Sequence, residues 1–159
     1  MDAVDLELTD EAESPTDIDP FTIVDSGFEV PSGAVAYTRV KECVVETPID
    51  IHMLLGHTHD YGVHFSFDLI RKSGPKADIP EQLYYATDGP TLRDNPEIRF
   101  FDAPGIPLAA GDVLRVTCRW TNPTEATLSW PEEMCVGLMY YTPSRGFLLC
   151  DSGARSDAA

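Results

Sequence analysis

Two histidines one residue apart, in Gly56-His57-Thr58-His59, close a strand-like run. In an extended chain successive side chains point to opposite faces, so His57 and His59 share one face while Thr58 turns away, the arrangement of a bidentate metal clamp. A His-x-His pair by itself equally describes solvent-facing or hydrogen-bonded histidines, so a further donor has to converge on it. Met134, in Glu132-Glu133-Met134-Cys135, is the candidate, although a methionine in a β-run also serves as core filler. A thioether is soft and neutral, so a His-His-Met set suits copper cycling between Cu(I) and Cu(II), and suits zinc, calcium or magnesium poorly. A disulfide at Cys135 would fix the backbone beside the sulfur.

The elements that must position these residues are short and β-rich. Runs at Phe21 to Val24, Val35 to Thr47, Ile51 to His59, Val63 to Ile70, Gln82 to Ala86, Ile98 to Asp102, Val113 to Trp120, Ala126 to Trp130, Met134 to Tyr141 and Phe147 to Cys150 are separated by most of the 13 prolines and 11 glycines. Val63, Phe65, Phe67 and Leu69 alternate with His64, Ser66, Asp68 and Ile70, as a sheet with one buried face requires. Leu114, Val116, Cys118 and Trp120 likewise oppose Arg115, Thr117 and Arg119. No segment shows a helical period and no repeat is visible. The pattern favours an all-β, antiparallel two-sheet sandwich or jelly roll of one domain over residues 21–155.

Charge divides the chain. Of its 27 acids ten lie in residues 1–29, which hold no Lys or Arg; the remainder carries 17 acids against 11 bases, a net of −6. Residues 1–20 are therefore expected to form a disordered acidic arm or linker. An acidic body argues against nucleic acid or an anionic membrane as ligand, and no apolar run is long enough for a membrane span. Met1 to Asp5 has neither a basic nor an apolar signal region, so the sequence is expected to start after a signal or to be a piece of a longer protein. Cys43, Cys118, Cys135 and Cys150 form no C-x-x-C pair, which disfavours zinc and thioredoxin-type sites. Two disulfides in an oxidising compartment are expected, with all three pairings open.

Gly56-His57-Thr58-His59-Asp60-Tyr61-Gly62, Gly111-Asp112-Val113-Leu114-Arg115-Val116-Thr117-Cys118 and Glu132-Glu133-Met134-Cys135 ending at Tyr140-Tyr141 occur in that order, with the four cysteines around them. Together, over about Val35 to Cys150, they resemble the C-terminal, catalytic-copper domain of the ascorbate-dependent copper monooxygenases, the family of peptidylglycine α-hydroxylating monooxygenase and dopamine β-monooxygenase. The resemblance implies a jelly roll, disulfides Cys43 to Cys150 and Cys118 to Cys135, and one copper held by His57, His59 and Met134. It also implies a secreted, periplasmic or otherwise oxidising location, dioxygen activation at that copper, and ascorbate as external reductant.

The sequence departs from the family at two positions. Peptide-hydroxylating members use an arginine and a tyrosine for the substrate carboxylate where Leu55 and Leu138 stand here, so an apolar wall and an apolar or neutral small-molecule substrate are expected. No segment of this sequence resembles the family's second copper domain. His52 and His64 fit no ligand pattern, so a second copper domain or other electron donor is the expected partner. A non-catalytic copper carrier and a metal-free jelly-roll module for glycans or a protein partner are the alternatives. Trp120, Trp130, Tyr140 and Tyr141 are read as core and rim aromatics.

Overall fold

The computed structural model describes residues 17–151. Twelve strands and one short helix run in the order β1 (Asp19–Val24), β2 (Glu29–Val30), β3 (Tyr37–Val44), β4 (Ile49–His57), β5 (Gly62–Ile70), β6 (Pro80–Ala86), α1 (Gly89–Asp94), β7 (Arg99–Phe100), β8 (Ile106–Leu108), β9 (Val113–Trp120), β10 (Leu128–Ser129), β11 (Val136–Thr142) and β12 (Leu148–Asp151). One sheet has the order β12-β1-β11-β4-β7, with β8 also on β4; a second has the order β3-β9-β5-β6; β2 and β10 form a small ribbon. The all-β, disulfide-stapled sandwich expected from the sequence is the fold of the protein.

The core lies between the two larger sheets. From the first come Ile23, Ile51, Leu54, Met139 and Tyr141, and from the second Phe65, Phe67, Leu69, Leu114, Val116 and Trp120, each with no exposed surface. Strand β9 buries Leu114, Val116, Cys118 and Trp120 on one side, as its sequence predicts. Two disulfides staple the layers together. Cys43 on β3 joins Cys150 on β12, and Cys118 on β9 joins Cys135 just before β11, each linking one sheet to the other. Such staples mark a chain that matures under oxidising conditions.

Several expectations require correction. Val63 does not share the buried face of Phe65: β5 shifts register against β9 between Gly62 and His64, and Val63 is left 37% exposed. The pairing is not wholly antiparallel, because β12 runs parallel to β1 from Phe21↔Leu148 to Val24↔Asp151. The ordered fold begins before Phe21, since Asp19 and Pro20 already pair with Tyr141 and Tyr140. The remainder of the acidic arm, residues 1–16, and the stretch after Asp151 lie outside the described residues. Strands β2 and β8 and helix α1 have no counterpart in the predicted runs, being too short to show a period.

Among the described residues no helix is long and apolar enough to cross a membrane.

Candidate metal centre

Strands β4 and β11 set the site. They pair antiparallel with Leu55↔Leu138 and His57↔Val136 opposite each other, and both strands end there. Burial keeps alternating for two residues past that ladder, with Thr58, Glu133 and Cys135 buried and His59 and Met134 half-buried, so Leu55, His57, His59, Leu138 and Met134 are the side chains turned out of the core. Leu54, Gly56, Gly137 and Met139 fill the opposite, buried face of the two strands. Gly56 and Gly137 leave no room for larger residues: a Cβ at Gly56 would stand 2.2 Å from Phe65 Cδ1, and one at Gly137 would stand 2.7 Å from Phe67 Cε2. Leu55 and Leu138, expected to form a wall, are direct cross-strand neighbours beside His57, both half-buried.

The two imidazoles lie side by side, ring centroids 5.1 Å apart and nearly perpendicular at 88°. Thr58 between them is fully buried, as the period of two requires. Each ring donates from Nδ1 to a backbone carbonyl: His57 to Leu92 O at 3.0 Å and His59 to Glu132 O at 2.9 Å. A carbonyl can only accept, so Nδ1 carries the proton in both rings, and in the neutral state the lone pair of each is on Nε2. Burial, then the neighbouring His59, push the His57 pKa below its usual value, favouring the neutral form that binds metal.

Helix α1 supplies the first of those carbonyls. Leu92 is buried, Arg93 forms an ion pair with Asp60 at 2.6 Å, and Gly89 meets the His59–Gly62 turn so closely that a Cβ would stand 2.3 Å from Gly62 O. The sequence holds a start signal for this helix that periodicity overlooks. Asp88-Gly89-Pro90 sets an acidic residue at the N-cap position and proline in the first turn, and Thr91 Oγ1 closes back on Asp88 at 2.5 Å.

The second overlooked residue is Glu133. It has no exposed surface, and its carboxylate accepts from His59 N at 3.1 Å, Tyr61 N at 2.8 Å and Trp120 Nε1 at 2.8 Å. The backbone of the histidine loop and the segment carrying Met134 are thus joined through one buried side chain. Burial raises the Glu133 pKa, against the lowering effect of the three donors.

Among the described residues no three His, Cys, Asp or Glu side chains gather as metal donors. Met134 is half-buried and lies two residues before Val136, at the end of β11 that pairs with His57. His52 and His64 stand elsewhere: His52 Nε2 pairs with Thr142 Oγ1 at 2.7 Å, and His64 sits edge-on to Tyr85. Trp120 and Tyr141 belong to the core, Tyr140 is half-buried and Trp130 is 37% exposed. A separate open groove of about 810 Å³, lined by Phe28, Glu29, Tyr37, Arg39, Trp130 and Asp151 among others, includes none of the three candidate ligands.

No family model matches the chain. No curated protein matches it either. Among solved structures it is similar to one described as that of infectious bursal disease virus Gx strain, at 13% identity and a TM-score of 0.29, over 89% of this chain and 36% of that one. The chain thus spans little more than a third of that viral chain's length.

Proposed function

We propose that this chain is a mononuclear copper-binding domain of the kind that activates dioxygen in the ascorbate-dependent copper monooxygenases. One observation carries the reading: both histidines spend Nδ1–H on backbone carbonyls with their ring centroids 5.1 Å apart, which leaves the Nε2 lone pair of each for a ligand. His57, His59 and Met134 would hold the ion, and the neutral, soft third donor favours Cu(I) over harder ions. When bound, copper supplies one-electron chemistry toward dioxygen and, through it, oxidation of a C–H bond.

The remaining work falls to the chain. Leu92 O and Glu132 O fix the tautomers and ring orientations, and the Cys118–Cys135 bridge anchors the segment beside Met134. Leu55 and Leu138 offer an apolar wall with no cation for a carboxylate, which fits an apolar or neutral small-molecule substrate. A second copper domain or another one-electron donor, with ascorbate as external reductant, completes the chemistry. A secreted or periplasmic setting accords with the disulfides.

Anaerobic titration under ascorbate tests this. One tight Cu(I) equivalent is expected in the wild type, lost in His57→Ala and His59→Ala and weakened in Met134→Ala; absence of stoichiometric copper overturns the reading. Reductant-dependent oxygen consumption then separates an oxidase-type centre from a copper carrier, which would show little. A metal-free recognition module is favoured by a different observation, the groove flanked by Tyr37 and Trp130, whose aromatic and polar lining suits a glycan. Glycan binding that survives both histidine substitutions would support it.

A further inference from the structure

Glu133 joins two halves of the candidate site that otherwise have separate supports. His57 is held by helix α1 through Leu92 O. His59 is held twice by the dipeptide immediately before Met134, its ring by Glu132 O and its backbone N–H by Glu133 Oε2. The carboxylate that makes the second bond also accepts from Tyr61 N through Oε1 and from Trp120 Nε1 through Oε2. A carboxylate is required in this place because all three partners donate. A glutamine amide could not satisfy them in either orientation: its NH2 would face Tyr61 N in one, and His59 N with Trp120 Nε1 in the other.

We propose that Glu133 is a positioning residue that sets Met134 and His59 in register with each other, so that the thioether contributes to the metal site only while this carboxylate is in place. The inference rests on the copper reading and adds to it a division of labour. The His59–Met134 half depends on Glu133; the His57 half depends on α1. Trp120 takes part as the fixed post: it is fully buried and stacked on Phe28 with ring centroids 4.6 Å apart, so its N–H cannot follow a moving carboxylate.

The test compares wild type, Glu133→Gln, Met134→Leu and the double variant by anaerobic Cu(I) titration, with amide hydrogen exchange recorded on the metal-free proteins. Glu133→Gln is expected to speed exchange at His59 and Tyr61 and to weaken Cu(I) binding by about ten-fold or more, the range seen when groups that orient metal ligands are removed. Met134→Leu should weaken binding in the wild type but add little once Glu133 is gone. X-ray absorption of the Cu(I) forms should show a sulfur scatterer in the wild type and its loss in Glu133→Gln. A core variant far from the loops, Leu69→Ala, controls for lost stability and should keep both the sulfur signal and the Met134 effect. Where Glu133→Gln fails to fold, Trp120→Phe removes one donor and should produce the same changes in smaller measure. Wild type that takes up no Cu(I) overturns the copper reading itself. Wild type that does, with Met134→Leu costing the same factor whether or not Glu133 is present, overturns only the role assigned to Glu133.

Discussion

Replacing Gly56 by alanine sets two effects against each other, and the structure decides between them. Alanine restricts the unfolded chain more than glycine does, which in a strand interior favours the variant by about 0.5–1 kcal/mol. Against this, the new methyl would stand 2.2 Å and 2.3 Å from Phe65 Cδ1 and Cε1, and 2.7 Å from Cγ. Carbon atoms rest about 3.5–4.0 Å apart, so ring and strand must separate by roughly 1.5 Å. Phe65 has nowhere to go: it is fully buried and sits edge-on to Tyr84 with centroids 5.8 Å apart. Overfilling a closed core costs about 1–3 kcal/mol, and a clash centred on an immobile ring belongs at the top of that range. A net loss of about 2 kcal/mol is therefore expected.

Urea unfolding reads this as a fall in midpoint at unchanged slope. Phe65→Leu alone should also destabilise, through the space it leaves, yet combined with Gly56→Ala it should return at least about 1 kcal/mol of the summed loss, because each change fills what the other opens or relieves. Gly56→Ala also displaces the strand next to His57, so its Nδ1–H bond to Leu92 O should weaken, seen as faster loss of the Nδ1 proton signal by NMR. A Gly56→Ala protein as stable as the wild type, or strictly additive with Phe65→Leu, would refute the close contact on which the reasoning depends.

The two disulfides should differ in worth: replacing Cys43 and Cys150 by alanine removes a 107-residue closure and should cost about 4–5 kcal/mol in denaturant unfolding, against about 3 kcal/mol for the 17-residue closure of Cys118 and Cys135, and the reverse order would refute the loop-closure account. His64 gives a pH prediction. Burial first, then the Arg119 charge, holds its pKa below 6.5, against an opposing pull from Asp68. Protonation therefore favours the unfolded chain, and the stability that His64 contributes is present above about pH 6.5 and lost as pH falls toward its folded value. Its ring-proton NMR titration should have a midpoint below 6.5; a midpoint at or above that value refutes the shift.

How far the fold was legible depends on how much each element shows of its period. Val113 to Trp120 is a full eight-residue strand with clean alternation, and the observed β9 has the same bounds. β2 has two residues and β8 three, and a strand that short has no period to read. Val63 was assigned to the buried face because strict alternation assumes unbroken pairing, and a register shift after Gly62 breaks it. For the site, the face shared by His57 and His59 follows from spacing alone, whereas the meeting of the Glu132–Met134 segment with His59 depends on β4 pairing with β11, a contact between distant segments that no local pattern encodes. Glu133 was invisible for a related reason. A buried carboxylate looks like any surface glutamate until its three donors, drawn from two other parts of the chain, are brought around it.

The position of the histidine pair also follows from hydrogen-bond accounting. From Asp50↔Thr142 to His57↔Val136 the backbones of β4 and β11 are held to each other by a ladder, so side chains can alternate there while the backbone has little freedom to bend. At His57↔Val136 that ladder stops. The chain then has to turn, and the N–H groups of His59 and Tyr61 would enter a buried region without partners, each at a cost of about 1–3 kcal/mol. Glu133 takes both. Its own cost of burial as an anion is offset by three N–H donors rather than by a cation, so the carboxylate does not draw a lysine or arginine onto the face that the imidazoles need. The turn carries Gly62 against Thr58 and Gly89 against Gly62 at distances that exclude any side chain, which holds His59 to a single path. A turn at the end of a ladder, closed by an acceptor rather than by more strand, leaves neither Nε2 hydrogen-bonded to a described residue, and under the proposed copper reading this is what fits that edge of the sandwich to hold a metal.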